Sequence, residues 1–287
     1  MNVSNKRSKI NDAFMNAIFH PTDFSKANEI AFVHALKFAL SANSKLDMFH
    51  ITSESHESHL SDFPSIRQTL ERWKVLPEGS TKSQFVDLGL QVKKTIVSDS
   101  NTVRFILNYL KRKPTNLIVL ATHQRKGTVR WQHKSVAESI GRQSDEMILF
   151  VPQGTQGFVS FKNGRIKLRR ILIPIDYVTD PQLAVDTASS LAKMLKRRKV
   201  TFVLLYVGGK SDVPKVKTNK KKGWICETIS CHGNIVNKIV QQENVHSSDL
   251  IVMTTQGREG FLDVLRGSTI ERVFRNSSCP VLIITEN

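Results

Sequence analysis

The chain has 287 residues, 40% of them hydrophobic, enough for packed cores and suited to two domains of ordinary size. No apolar run reaches the roughly 18 to 20 residues a bilayer-crossing helix needs, so no membrane span is expected. The formal charge of +17, from 42 Lys and Arg against 25 Asp and Glu, would attract polyanions, and it equally describes a solvated basic surface.

The N-terminus, MNVSNKRSKINDAF, is polar and lacks the apolar stretch of a secretory signal, which points to the cytoplasm. AIFHP (17–21) then reads as a short strand, followed by Asp23, a helix that Ser25 can cap, and a strand ending near Ile51. LSDFPSIRQTLERWKVL (60–76) reads as helical. The next strand falls near SQFVDLGL or QVKKTIV, and TVRFILNYLKRK (102–113) is a helix. NLIVLATHQRKGTVRWQHKSVAESIGRQSDEMILFVP (116–152) reads as strand, loop, helix, strand.

The order then begins again. RILIPIDYVTDPQLAVDTASSLAKMLKRRKVTFVLLYV (170–207) repeats strand, Pro-x-Asp, helix and strand, with Asp180-Pro181 as N-cap and first helical residue. Ala184, Ala188, Leu191, Ala192 and Leu195 share one face of that helix. DLIVMTTQGREGFLDVLRGSTIERVFRNSSCPVLIIT (249–285) repeats the later block. The copies are offset by 176 − 23 = 153 residues at the Pro-x-Asp and by 255 − 122 = 133 in the later loop, so the second has lost twenty. In it, a lysine-rich loop (KVKTNKKK, 215–222) stands where the first copy has a helix.

Strands of four to six residues alternating with helices indicate parallel sheets with right-handed crossovers. The expected fold is α/β: two tandem five-stranded parallel-sheet, Rossmann-like domains, residues 1–153 and 168–287. The glycine-containing polar stretch 154–167 would link them.

In open parallel sheets ligands bind beyond the carboxyl ends of the strands. Pro174 and Asp176, Val207, and the loop from Thr254 to Ser268 all fall at that edge of the second copy. Gly267-Ser268 precedes a helix, where free amides and the helix dipole favour an anion. The glycines fit neither the Walker A nor the dinucleotide spacing. The lysine loop, following the second strand, is expected to hang over the same edge.

Pro-x-Asp after the first strand, LIVM-x-T-x-G-R after the fourth, and G-S-x-x-E-R-V before a final CPVLII strand resemble the universal stress protein family. Both copies match, so the chain resembles its tandem form. The resemblance implies an adenine nucleotide alpha hydrolase-like sheet and, in nucleotide-binding members, ATP held by a loop of form G-x-x-G-x9-G-[ST]. In the second copy Thr254 stands at the first glycine of that loop, Gly257 at the second, and Gly267 and Ser268 at the end. Pro174, Asp176 and Val207 would lie against the adenosine, and Gly233 matches the glycine after the third strand. Thr254 brings a β-branched side chain where ligand would approach. In the first copy Asp23, Ile51, Ala121 and Ser135 occupy the matching positions. Ala121, Gln124 and Lys134 replace its glycines, so this site is expected to be degenerate, with Lys134 or Arg125 as replacement charge.

The function implied is that of a cytoplasmic stress-response protein binding ATP or a related adenine nucleotide, with or without magnesium, mainly in its second domain as a regulatory switch. The alternative is a scaffold that binds no nucleotide and meets a protein or polyanion partner through its paired domains and basic surface. No Walker lysine, metal cluster or nucleophile with its own base is visible, so at most slow ATP hydrolysis is expected. His20, His123 and His133 fall near the first copy's edge without forming such a set. Nucleic-acid binding rests on charge alone. By the same resemblance, MILFV and VLIIT would join the copies as an intramolecular pseudo-dimer, leaving further homodimerisation open.

Overall fold

The computed structural model describes residues 15–52, 58–99, 101–122, 139–140, 143–256 and 269–286. The first half runs β1 (Ala17–Pro21), α1 (Lys26–Ala42), β2 (Lys45–Thr52), α2 (Ile66–Arg72), α3 (Lys82–Val86), β3 (Gln91–Ser98), α4 (Thr102–Arg112), β4 (Leu117–Thr122) and β5 (Met147–Pro152). The second runs β6 (Arg170–Ile175), α5 (Pro181–Met194), β7 (Val200–Val207), β8 (Trp224–Cys231), α6 (Ile235–Val245), β9 (Leu250–Thr255), α7 (Thr269–Asn276) and β10 (Val281–Thr285). Among the described residues no helix is long and apolar enough to cross a membrane.

All ten strands form one sheet in the order β3-β2-β1-β4-β5-β10-β9-β6-β7-β8. Each half is parallel with the same internal order, and the halves meet where β5 and β10 pair antiparallel, Leu149 opposite Leu282. This pairing points the carboxyl ends of the two half-sheets in opposite directions. Helices cover both faces, which is why β4, β5, β9 and β10 read as continuous apolar runs. Phe150 of β5 stacks on Phe274 of α7 with ring centroids 4.3 Å apart, so one core crosses the seam between halves.

Local chemistry explains the boundaries. Asp180 caps α5 by accepting from the Gln182 amide (2.9 Å), with Pro181 at the first helical position, and the predicted apolar face is buried. Ser25 stands at the N-cap of α1, but its side chain accepts no cap bond. Asp23 Oδ1 takes the Ser25 amide (2.9 Å) instead. The stretch 60–76 is not one helix: a short 3-10 turn (Leu60–Asp62) is separated from α2 by Phe63-Pro64, because proline disfavours helix in the residue before it. Of the two candidate third strands, QVKKTIV is β3, whereas residues 83–86 of the other are helical.

The lysine loop runs elsewhere than expected. β7 and β8 are parallel, with Val200 opposite Trp224, so the connection must return to the amino edge. Lys217 stays near the first turn of α5, its amide bonded to Gln182 Oε1 (2.7 Å), while Lys220, Lys221 and Lys222 lie at the edge opposite to the predicted site.

The connecting stretch 154–167 is packed rather than loose. Phe158 and Val159 are buried, and their amides both donate to His34 Nε2 (3.1 and 3.2 Å). Trp73 Nε1 donates to the Phe161 carbonyl (3.0 Å), and the Arg72 guanidinium lies 4.1 Å from the Phe161 ring centre. Gly164 has φ +62°, and a Cβ there would stand 2.5 Å from the Trp73 ring. Gly164→Ala is therefore expected to lower unfolding free energy by about 1–3 kcal/mol through strain and overpacking, read by urea denaturation.

Candidate functional site

β6 and β9 are neighbours whose outgoing connections run to opposite faces of the sheet, which makes the gap between their carboxyl ends the topological switch point of the second half. A cavity of about 220 Å³ opens there. Its lining is apolar at Val207 from β7, Met253 from β9, and Ile235 and Ile239 from α6, and polar at Asp176, Thr179, Thr254, Thr255 and Gln256. Four sequence-predicted residues, Pro174, Asp176, Val207 and Thr254, line it together.

Asp176 is exposed and organises the turn after β6. Its Oδ1 accepts the amides of Val178 and Thr179 (2.9 Å each) and the Thr179 hydroxyl (3.0 Å). Thr254 Oγ1 donates to Thr179 Oγ1 (2.7 Å), completing a chain of hydroxyls from the end of β9 to the carboxylate. The β-branched side chain that departs from the family pattern thus fastens the two strand ends together. Gln256 adds a side-chain bond to the Val178 carbonyl. Thr255 is 2% exposed, and its hydroxyl finds no partner among the described residues.

Burial raises the Glu286 carboxyl above its usual range, as do the nearby Asp180 and Asp176 charges, against a lowering bond from the Asp180 amide. Asp176 is thus the acidic residue of the cavity, with Asp180 and Glu286 close behind it. The predicted loop residues Gly257, Gly267 and Ser268 lie outside the described residues. Gly233, at φ +132°, turns the chain between β8 and α6 and is not among the cavity residues.

The sequence reading missed Tyr177, Tyr206, Thr179 and Thr255. Tyr177, next to Asp176, is 69% exposed and meets the cavity-lining Tyr206 edge-on at 6.4 Å. Gly208 leaves room for that ring, since a Cβ would stand 2.5 Å from it. The only sequence signals were position: Tyr177 follows the Asp, and Tyr206 precedes the strand-end valine.

The first half places its counterparts differently. Phe24, the residue after Asp23, adopts φ 60°, stacks on His50 at 4.0 Å, and meets Phe63 edge-on at 5.0 Å. His50 Nδ1 donates to the Thr22 carbonyl (2.8 Å). Phe24 is thus folded inward where Tyr177 faces solvent. Ile51 packs on the core, and Ala121 continues β4 beside Val151. His20 is fully buried in β1 rather than at an edge, its Nδ1 donating to the Val119 carbonyl (2.9 Å). Ser135, with Gln124, Arg125, Lys134, His123 and His133, lies outside the described residues. Cys226 is exposed, Cys231 half-buried and Cys279 buried, and no group of three metal-type ligands occurs among the described residues.

Comparison with known proteins gives this arrangement its family. The universal stress protein family pattern matches residues 15–152 and 210–285, most of the chain and both copies. The chain belongs to the universal stress protein family. It has the tandem form, with two Rossmann-like halves in one sheet. A universal stress protein of Methanocaldococcus jannaschii is 38% identical over 82 residues, 28% of this chain and 48% of the relative, so the chain spans about half the length of that curated relative. Among solved structures, a universal stress protein from Archaeoglobus fulgidus superposes with a TM-score of 0.63 at 17% identity, covering 95% of this chain and 99% of the other. A Pseudomonas aeruginosa protein of unknown function gives 0.57 at 12% identity, covering 94% and 92%. At such identities the likeness is one of fold.

Proposed function

We propose that this universal stress protein binds ATP or a related adenine nucleotide in its second half, and that occupancy serves as a regulatory signal in the cytoplasm. The observation carrying the proposal is the cavity at the β6/β9 switch point, where Pro174, Asp176, Val207 and Thr254 converge beside the buried Thr255 hydroxyl, which has no partner among the described residues. An apolar slot with a few convergent polar groups is the usual form of a small-molecule site. At about 220 Å³ it suits the nucleoside part of a ligand, with the phosphates reaching outward to the Gly257–Ser268 segment. On the same proposal the chain divides into domains 1–153 and 168–287 joined by 154–167. The first keeps no nucleotide function, because Phe24 folds inward at its edge.

Val207→Trp, which fills the cavity, is expected to weaken ATP binding by at least about 100-fold in calorimetry, roughly 2.7 kcal/mol. Ile51→Trp, the matching change in the first half, should leave affinity unaltered. Equal ATP affinity in the wild-type and Val207→Trp proteins would overturn the assignment. Mass spectrometry of ligand released from freshly purified protein identifies which nucleotide is held, and calorimetry with and without magnesium decides whether the ion contributes.

A further inference from the structure

The amino edge of the second half, opposite the cavity, concentrates positive charge in a way the fold enforces. Since Val200 and Trp224 are register partners, the residues just before β7 and just before β8 are neighbours, which sets Arg198 and Lys199 beside Lys220, Lys221 and Lys222. Gly223 holds this contact: at φ +85° its backbone lies so near the Arg198 carbonyl that a Cβ would stand 2.5 Å from that oxygen. Its own carbonyl accepts the Val200 amide (3.2 Å). Trp224 clamps both runs, its Nε1 donating to the Arg197 carbonyl (3.2 Å) and its ring lying 4.9 Å from Lys221 Nζ.

Arg198, Lys199, Lys220 and Lys222 are exposed and make no ion pair with a described residue. Asp249, just before β9, is engaged by the Arg169 and Arg170 amides (2.6 and 2.9 Å). Crowded like charges repel, and here backbone contacts hold them together with no carboxylate paired to them among the described residues. An anionic partner would relieve that repulsion.

We infer that this edge binds the sugar–phosphate backbone of a nucleic acid, without reading bases. The starts of β7 and β8, with Arg170 exposed at the start of the adjoining β6, lie about 4.8 Å apart and give a row of cations about 10 Å long. A strand carries one phosphate per nucleotide, so such a row can meet successive phosphates of one backbone. A membrane surface would call for several apolar anchors beside the cations, yet among the described residues Ile225 alone adjoins the lysine run as an exposed large apolar side chain, and exposed Tyr177, Val178 and Ile235 lie at the opposite edge. The inference is independent of the nucleotide cavity.

The test is fluorescence anisotropy with a labelled single-stranded RNA of about 20 nucleotides, titrated from roughly 50 to 200 mM KCl. The variant R198Q/K199Q/K220Q/K222Q is expected to bind at least about tenfold more weakly, with the slope of log affinity against log salt reduced by about 2 to 3. The control K82Q/K111Q/R112Q/K113Q, carrying the same charge change in the first half, should retain affinity within about threefold. Equal losses in the two variants would overturn the inference, since net charge alone would then explain binding. So would absence of RNA binding, whether or not phosphatidylserine vesicles are bound, and so would equally tight binding of poly-glutamate. Unaltered melting of the edge variant excludes misfolding as the cause.

Discussion

Between pH 6.5 and pH 4 the fold is expected to lose about 3 kcal/mol for each of two buried histidines, His20 and His34. Burial pushes both imidazoles down to about 4, against a smaller upward pull from the carbonyls of Val119 and Ile30 respectively. Because the folded values lie below the unfolded 6.5, the unfolded chain takes up protons first as pH falls. The stabilisation is therefore complete above pH 6.5 and gone below about 4. For His34 the geometry shows why. Nδ1 donates to the Ile30 carbonyl (2.7 Å), so Nε2 is the lone-pair nitrogen that accepts the Phe158 and Val159 amides. Protonation would set three N–H groups against one another in the core.

Glu146 acts in the opposite sense. Burial and the adjacent Asp145 raise its carboxyl to about 7, so it favours the folded state as pH falls and offsets part of the loss. A variant separates the two. His34→Gln keeps an acceptor and a donor but does not titrate, and urea unfolding at pH 7 and pH 4 should show its stability difference smaller than wild type by about 3 kcal/mol. An unchanged difference would mean that His34 titrates normally in the fold.

The second large effect is expected at Glu243. This residue, 1% exposed near the end of α6, accepts at Oε1 from the Ser278 amide (2.7 Å), the Ser278 hydroxyl (2.6 Å) and the Cys279 amide (2.9 Å). It ties the end of α6 to the turn that launches β10, the strand joining the halves. Its neighbour Cys279 has its thiol pushed well up by burial and by the Glu243 carboxylate. Glu243→Ala strands the buried Cys279 amide and the part-buried Ser278 amide and hydroxyl and leaves a void, so a loss of about 3 kcal/mol is expected in urea or thermal unfolding. Glu243→Gln keeps the accepting oxygen and should lose less than half as much. Comparable losses in the two variants would show that charge, not hydrogen-bond geometry, is what the site requires.

Much of the molecule could be read from residue order. The repeat of strand, Pro-x-Asp, helix and strand fixed the α/β architecture, and the apolar runs of β4, β5, β9 and β10 marked strands buried on both faces. Pro174, Asp176, Val207 and Thr254 were legible as residues of one edge, because the carboxyl ends of parallel strands must share a side. Side-chain geometry was not legible. Asp176 as the acceptor of a turn, the hydroxyl chain through Thr179 and Thr254, and Tyr177 facing solvent while Phe24 folds inward all depend on how separate segments approach.

The sequence by itself determined the duplication, the fold class and which strand ends could form a site, since periodicity and local chemistry act over a few residues and need no partner. Only the tertiary structure decided three further matters. Parallel pairing carries Lys220 to Lys222 away from the cavity to the far edge. The polar stretch 154–167 becomes a packed element held by His34 and Trp73. The antiparallel seam of β5 and β10 turns the two halves' ligand edges to opposite sides. Each depends on contacts between residues far apart in sequence, whose geometry exists only once the chain has folded.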